Sequence, residues 1–285
     1  MNLCRRQITD SSAIAARSVC LVVETHLDTG ECLQDASLKG LFVINIANFE
    51  YVLASHNKDL MSEGSSMLDQ TTSILSEETL NGPETVVLKE PFPILIASNQ
   101  LPANLAEEID RDFPQYTGAG YLPHEEKDCG QTINTIVSEM TSREFANNLG
   151  KHLGVPNLGD YPTMVSICRS LNKKHGNIHT DSNSKIVTCL LYLNPGWLQN
   201  SEGCLRFLQR IDSFEDMVAP EIRPVYGSLA AFRRADNSFH GHLPYEGERR
   251  VIQVAWLTSE EEKLRKTKRG KMSRFLKWMT SSLGK

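Results

Sequence analysis

Hydrophobic spacing changes character near residue 162. Upstream, Val86 to Leu101 (VVLKEPFPILIASNQL) reads as extended segments interrupted by prolines. Residues 102–113 then open with Pro102, carry acids in the first turn and repeat apolar positions at Leu105, Ile109 and Phe113, which predicts a helix. Residues 133–153 place Ile136, Met140, Phe145 and Leu149 at helical intervals, with Gly154 as the stop. A Gly-, Tyr- and Pro-containing loop, 114–129, separates the two. Downstream come short β-type runs, TMVSICRSL, KIVTCLLYLN, GCLRFL, SLAAFR and RRVIQVAWL, divided by NKKHGN, NPGW, PVYG and PYEGE. Strands joined by turns without intervening helices point to antiparallel pairing rather than a parallel sheet. The expected class is α+β, a double-stranded β-helix (jelly roll) core with the upstream helices packed on it.

Three regions follow. Residues 1–85 have one apolar run, Gly40 to Tyr51, and a polar stretch from His56 to Glu84, of which Ser62 to Leu80 reads as a loop, short helices or a flexible insertion. Residues 86–258 hold the domain just outlined. Residues 259–285 form a basic tail, in which Phe275, Trp278 and Met279 oppose a dense set of Lys and Arg. That tail suits an anionic membrane surface or an acidic partner, or equally a helix packed on the body.

Charge sharpens the division. The chain of 285 residues carries 30 Lys and Arg against 35 acids, a net −5. Nine of those bases and no acid fall in 263–285, so residues 1–262 hold 21 bases against 35 acids, or −14. So acidic a body disfavours nucleic acid as substrate. Seven cysteines without a CxxC pair, no N-x-S/T acceptor and no apolar leader lead to the expectation of a soluble, unexported, cytoplasmic protein without a cysteine-rich zinc site.

The chemistry concentrates in the β half. His179 and Asp181 form an H-x-D pair just before the strand near Lys185, and residues i and i+2 of an extended segment share a face. Alone the pair is common. Downstream, however, lie Leu191-Tyr192-Leu193-Asn194, Gly203-Cys204-Leu205-Arg206-Phe207, His240 and Arg250. Two imidazoles and one carboxylate with open positions are the facial triad of non-haem Fe(II) oxygenases. Arg250 alternates onto one strand face with Ile252, Val254 and Trp256, so it is expected to be buried and to need an anion.

Over about residues 161–257 this pattern resembles the Fe(II)/2-oxoglutarate-dependent oxygenases, in their prolyl 4-hydroxylase-like branch. The matching features are His179-x-Asp181, Tyr192-Leu193-Asn194, the hairpin from Gly203, His240, Pro244, Arg250 and Trp256; Glu202 departs from the hairpin's usual first Gly. The resemblance implies Fe(2+) bound by His179, Asp181 and His240. It implies 2-oxoglutarate held by Arg250 and by the Tyr192 phenol, with ascorbate as reductant. It further implies hydroxylation of a peptidyl or small-molecule substrate, coupled to decarboxylation of 2-oxoglutarate to succinate.

Several rivals stand beside these assignments. His242 competes with His240 as third ligand, although its spacing to Pro244 and Arg250 is poorer. Tyr192 could equally be a core tyrosine. Arg169 could touch substrate or simply be solvated, and Arg249 is expected on the surface with Glu246 or Glu248. At the level of function, the rivals are a non-catalytic jelly-roll binding module and an AlkB-like nucleic acid demethylase. The latter places a second Arg six residues after the co-substrate Arg, where this chain has Trp256.

Overall fold

The computed structural model describes residues 73–283. The apolar run 40–51 and most of the polar stretch from His56 lie outside them. Helix α1 (Glu77–Leu80) precedes a hairpin of β1 (Thr85–Leu88) and β2 (Ile94–Ala97), and α2 spans Ala106–Asp112. Strand β3 (Tyr121–Pro123) lies within the segment expected as loop. The segment expected as one helix is two, α3 (Gln131–Met140) and α4 (Arg143–Leu153). The break is local. Ser142 is extended, and its hydroxyl caps the new helix by accepting from the Phe145 amide. Gly154 ends α4 at φ 69°, as its position predicts.

The jelly-roll strands follow: β4 (Thr163–Leu171), β5 (Lys185–Tyr192), β6 (Arg206–Leu208), β7 (Leu229–Arg233), β8 (Phe239–Gly241) and β9 (Gly247–Leu257). They form a seven-stranded antiparallel sheet in the order β1-β2-β7-β5-β9-β4-β3, faced by the two-stranded β6-β8. The large sheet is apolar on both faces, for two reasons. One face takes helices α2 to α4, where Ile109, Phe113, Ile136, Leu149, Ile167, Leu191, Ile252 and Trp256 pack. The other faces the small sheet, where Phe92, Phe207, Phe232, Leu190, Tyr192 and Val251 pack, with Phe92, Phe207 and Phe232 in edge-on aromatic contacts. Burying a core aromatic of this kind contributes roughly 2 to 3 kcal/mol.

The tail is helical. Helix α5 (Glu260–Leu283) leaves the end of β9 and its first turns lie against β3 and β4. No described helix is long and apolar enough to cross a membrane.

Candidate metal and co-substrate site

A cavity of about 720 Å³ opens between the two sheets. His179 and Asp181 stand on the segment just before β5, and His240 is the middle residue of β8. Their ligand atoms lie within 4.8 Å of one another, and they are the one such group among the described residues. Backbone bonds place the imidazoles: the His179 amide donates to the His240 carbonyl at 3.0 Å, and the His240 amide returns the bond at 3.0 Å. Gly241 allows the approach, because a Cβ there would lie 2.7 Å from the Gly176 carbonyl oxygen.

The ring nitrogens are pinned as well. Nδ1 of His179 lies 2.9 Å from the Asn177 carbonyl oxygen, and Nδ1 of His240 lies 2.9 Å from that of Ser238. A carbonyl only accepts, so each Nδ1 carries the proton and each Nε2 keeps a free lone pair for a metal. Burial pushes the His240 pKa down to about 4, with nearby Asp181 opposing and His179 assisting, so the ring is neutral at pH 7. Burial alone would raise the Asp181 pKa, but Lys185, His240 and Thr188 outweigh it and hold it at about 2. Lys185 Nζ donates to one carboxylate oxygen at 2.7 Å and Thr188 Oγ1 to the other at 2.5 Å. Two imidazoles, each with Nε2 turned away from its carbonyl partner, and an ionised carboxylate are the donor set that Fe(II) takes, so the residues fit the metal.

The arginine that lines the cavity differs from the sequence expectation. Arg250 does not reach the cavity: its guanidinium pairs with Asp110 of α2 at 2.5 Å and with Glu248 at 2.9 Å, 5.5 Å from the Phe113 ring centroid. Arg249 is the arginine inside. It is 2% exposed, lines the cavity, donates through Nε to the Gly203 carbonyl at 2.8 Å and contacts the Tyr192 hydroxyl at 3.3 Å. Tyr121 lies against the same guanidinium from β3. No carboxylate pairs with Arg249 among the described residues. The cause is register: Val251 opposes Tyr192 and Ile252 opposes Leu191, which puts Arg249, Val251 and Gln253 on the cavity face and Arg250, Ile252, Val254 and Trp256 on the helix face. The face that Arg250 shares with Ile252, Val254 and Trp256 is buried, as its alternation predicts, but against the helices rather than toward the cavity.

The other candidates fall as follows. Tyr192 is fully buried and its hydroxyl reaches the cavity beside Arg249. His242 also lines the cavity, its Nδ1 2.8 Å from the Leu243 carbonyl oxygen, but it is not in the three-residue cluster. Burial, with Arg249 assisting, lowers its pKa to about 4. Arg169 pairs with Glu248 at 3.0 Å and faces the helices. Sequence reasoning puts Arg249 on the surface with Glu246 or Glu248, which its burial corrects, and passes over Lys185 and the cavity-lining residues of α5. For Arg249 the usable signal was its alternation with Val251 and Gln253.

Residues 165–258 match the model of the 2OG-Fe(II) oxygenase superfamily. Among solved structures, a Pseudomonas putida prolyl-4-hydroxylase is 20% identical over 57% of this chain and 91% of its own, with TM-score 0.42. A Trichoplax adhaerens prolyl hydroxylase, in complex with a hypoxia inducible factor oxygen degradation domain peptide fragment, is 18% identical over 67% of this chain and 91% of its own, with TM-score 0.40. A collagen prolyl hydroxylase from Paramecium Bursaria Chlorella virus-1 is 15% identical over 64% of this chain and 99% of its own, with TM-score 0.41. No curated protein matches. The matched stretch, residue 165 to residue 258, contains the two histidines and the carboxylate just described, and over that stretch the chain is similar to the 2OG-Fe(II) oxygenase superfamily.

Proposed function

We propose that the protein is a hydroxylase of the prolyl 4-hydroxylase type, acting on a peptidyl or small-molecule substrate. His179, Asp181 and His240 would hold Fe(II), and Arg249, with Tyr192 and Tyr121 beside it, would hold the far carboxylate of 2-oxoglutarate. The observation that carries the reading is the pairing, in one cavity, of a two-His, one-carboxylate group with a buried arginine that no carboxylate partners among the described residues. Iron held there would supply the oxidising chemistry, with 2-oxoglutarate and dioxygen consumed, carbon dioxide released, one oxygen atom ending in succinate and the other in the hydroxylated substrate.

The chain's own residues do the positioning. The Asn177 and Ser238 carbonyls fix the imidazole tautomers, Lys185 and Thr188 orient the carboxylate, and Val251 and Leu190 keep the inner wall apolar. A guanidinium fork matches a carboxylate in bidentate geometry, which gives the co-substrate one orientation. A binding module would have no use for both features. A nucleic acid demethylase remains disfavoured after the correction to Arg249, because the position six residues on is Ala255. A reducing, cytoplasmic setting and ascorbate as reductant belong to the same proposal.

The test is metal binding and turnover together. Fe(II) added anaerobically should raise the melting temperature, since a ligand at about a hundred times its Kd adds about 2.7 kcal/mol. The chain should then convert 2-oxoglutarate to succinate in air. His179→Ala, Asp181→Ala and His240→Ala should each lose both responses. An unshifted melt in the unaltered protein would refute the proposal.

A further inference from the structure

Helix α5 turns its polar side inward. The half-buried positions along its first turns are Glu262, Lys263, Lys266, Thr267 and Gly270, and the last four make the i, i+3, i+4, i+7 stripe that a packing helix normally makes apolar, while Leu264 is 61% exposed. The inward stripe borders the cavity mouth. Lys263, Lys266, Thr267 and Gly270 line it together with Arg265 and Arg269. The contact is close: Lys266 Nζ donates to Ser182 Oγ at 2.9 Å, next to Asp181, and a Cβ on Gly270 would come within 2.7 Å of the Pro123 ring.

The resulting charge is lopsided. Six basic side chains line the cavity, Lys185, Arg249, Lys263, Arg265, Lys266 and Arg269, against one carboxylate, Asp181, in a body whose sequence is otherwise acidic. Lys185 is taken by Asp181 and Arg265 by Glu262, and Lys263 has only a loose 3.9 Å contact with the exposed Glu260. Lys266 and Arg269 have no carboxylate partner among the described residues. Loading the site leaves the excess in place, because Fe(II) and the 2-oxoglutarate dianion cancel, and the latter engages Arg249.

From this placement we infer that the substrate is an acidic peptide segment, whose carboxylates dock on Lys263, Lys266 and Arg269 while the residue to be oxidised enters between the sheets. This rests on the proposed oxygenase reading and names its substrate class. Length favours a peptide over a single small anion. Six residues of helix advance about 9 Å, which an extended peptide covers in about three residues. The row therefore suits two or more carboxylates flanking the entering residue, and the same field speeds their encounter with the cavity.

The test uses the full chain loaded anaerobically with Fe(II) and 2-oxoglutarate. A fluorescein-labelled peptide Gly-Glu-Gly-Glu-Pro-Glu-Gly-Glu-Gly and its Gln-for-Glu counterpart are titrated by anisotropy. The acidic peptide should bind at least about tenfold tighter in low salt, and that advantage should shrink as ionic strength rises. It should fall below about threefold in Lys263→Gln/Lys266→Gln/Arg269→Gln and persist in Lys268→Gln, which removes an exposed α5 charge outside the cavity lining. Equal binding of the two peptides by the unaltered chain, which needs no variant to fold, overturns the inference, as does an advantage that survives the triple change. Equal binding together with sedimentation on phosphatidylserine vesicles overturns it in favour of a membrane surface. Succinate formation is scored separately. Acid preference without succinate upholds the charged mouth and overturns the oxygenase reading; succinate without acid preference overturns the mouth alone.

Discussion

Replacing Arg249 and Arg250 one at a time by Gln separates two guanidiniums that are adjacent in sequence and opposite in environment. Arg249 is buried without a carboxylate partner among the described residues, so on the proposed reading its charge is there for 2-oxoglutarate rather than for the fold. Losing a charge-assisted bidentate contact with 2-oxoglutarate should cost about 2 to 4 kcal/mol, or roughly thirty- to a thousandfold in Kd. The melting temperature of Arg249→Gln without ligand should hold or rise, because an uncompensated buried charge is itself destabilising. Arg250 gives the reverse result. Its partners Asp110 and Glu248 are 58% and 46% exposed, so Arg250→Gln should lower stability by about 1 kcal/mol or less and shift 2-oxoglutarate affinity by less than about threefold. Anaerobic calorimetric titration of 2-oxoglutarate into the Fe(II)-loaded proteins, with melts on the same samples, measures both quantities. If Arg250→Gln were the weak binder and Arg249→Gln bound normally, the β9 register described above would be refuted.

Acid should weaken the metal-free chain through two histidines. His240 and His242 are both held near 4 when folded against an ordinary 6.5, so the folded state disfavours their protonation. The stability tied to each, at most about 3 kcal/mol, is whole above pH 6.5 and lost as pH falls toward 4. Denaturant titrations at pH 7 and 4.5 should show the loss, His242→Asn should remove about half of its pH dependence, and equal stability at the two pH values would contradict the burial described. Asp181 acts in a lower window, its contribution fading between pH 3.8 and 2. Gly176→Ala should cost about 2 to 4 kcal/mol, because φ is +100° and the new Cβ would lie 2.4 Å from the His242 ring; a variant melting like the parent would sink that claim.

The strands with long apolar runs were legible in the sequence. β4, β5, β7 and β9 each bury a row of side chains on both faces of the large sheet, and the runs read from the sequence overlie them. β3 and β8 were not, since each is three residues long and owes its pairing to a neighbour rather than to its own composition. The helical spacing of 133–153 carries through two helices without a visible interruption, and only the Ser142 cap marks the division. The three candidate ligands were legible because residue type and order identify them. The cavity arginine was not, because a doubly buried strand offers apolar residues on both faces, and the choice of face then depends on pairing across the sheet. The inward lysines of α5 defeated the pattern for the opposite reason: they occupy the stripe that amphipathicity assigns to apolar residues.

Main-chain bonds, in both directions, tie His179 to His240. Their separation is thus written into the backbone, so substitutions in the surrounding side chains have little leverage on it. Asp181 is different, being oriented by two replaceable side chains, Lys185 and Thr188. Drift in metal preference or reactivity within such a site has one open route, through the residues that steer the carboxylate. A designer seeking a different metal would leave the histidine pair alone and begin at positions 185 and 188.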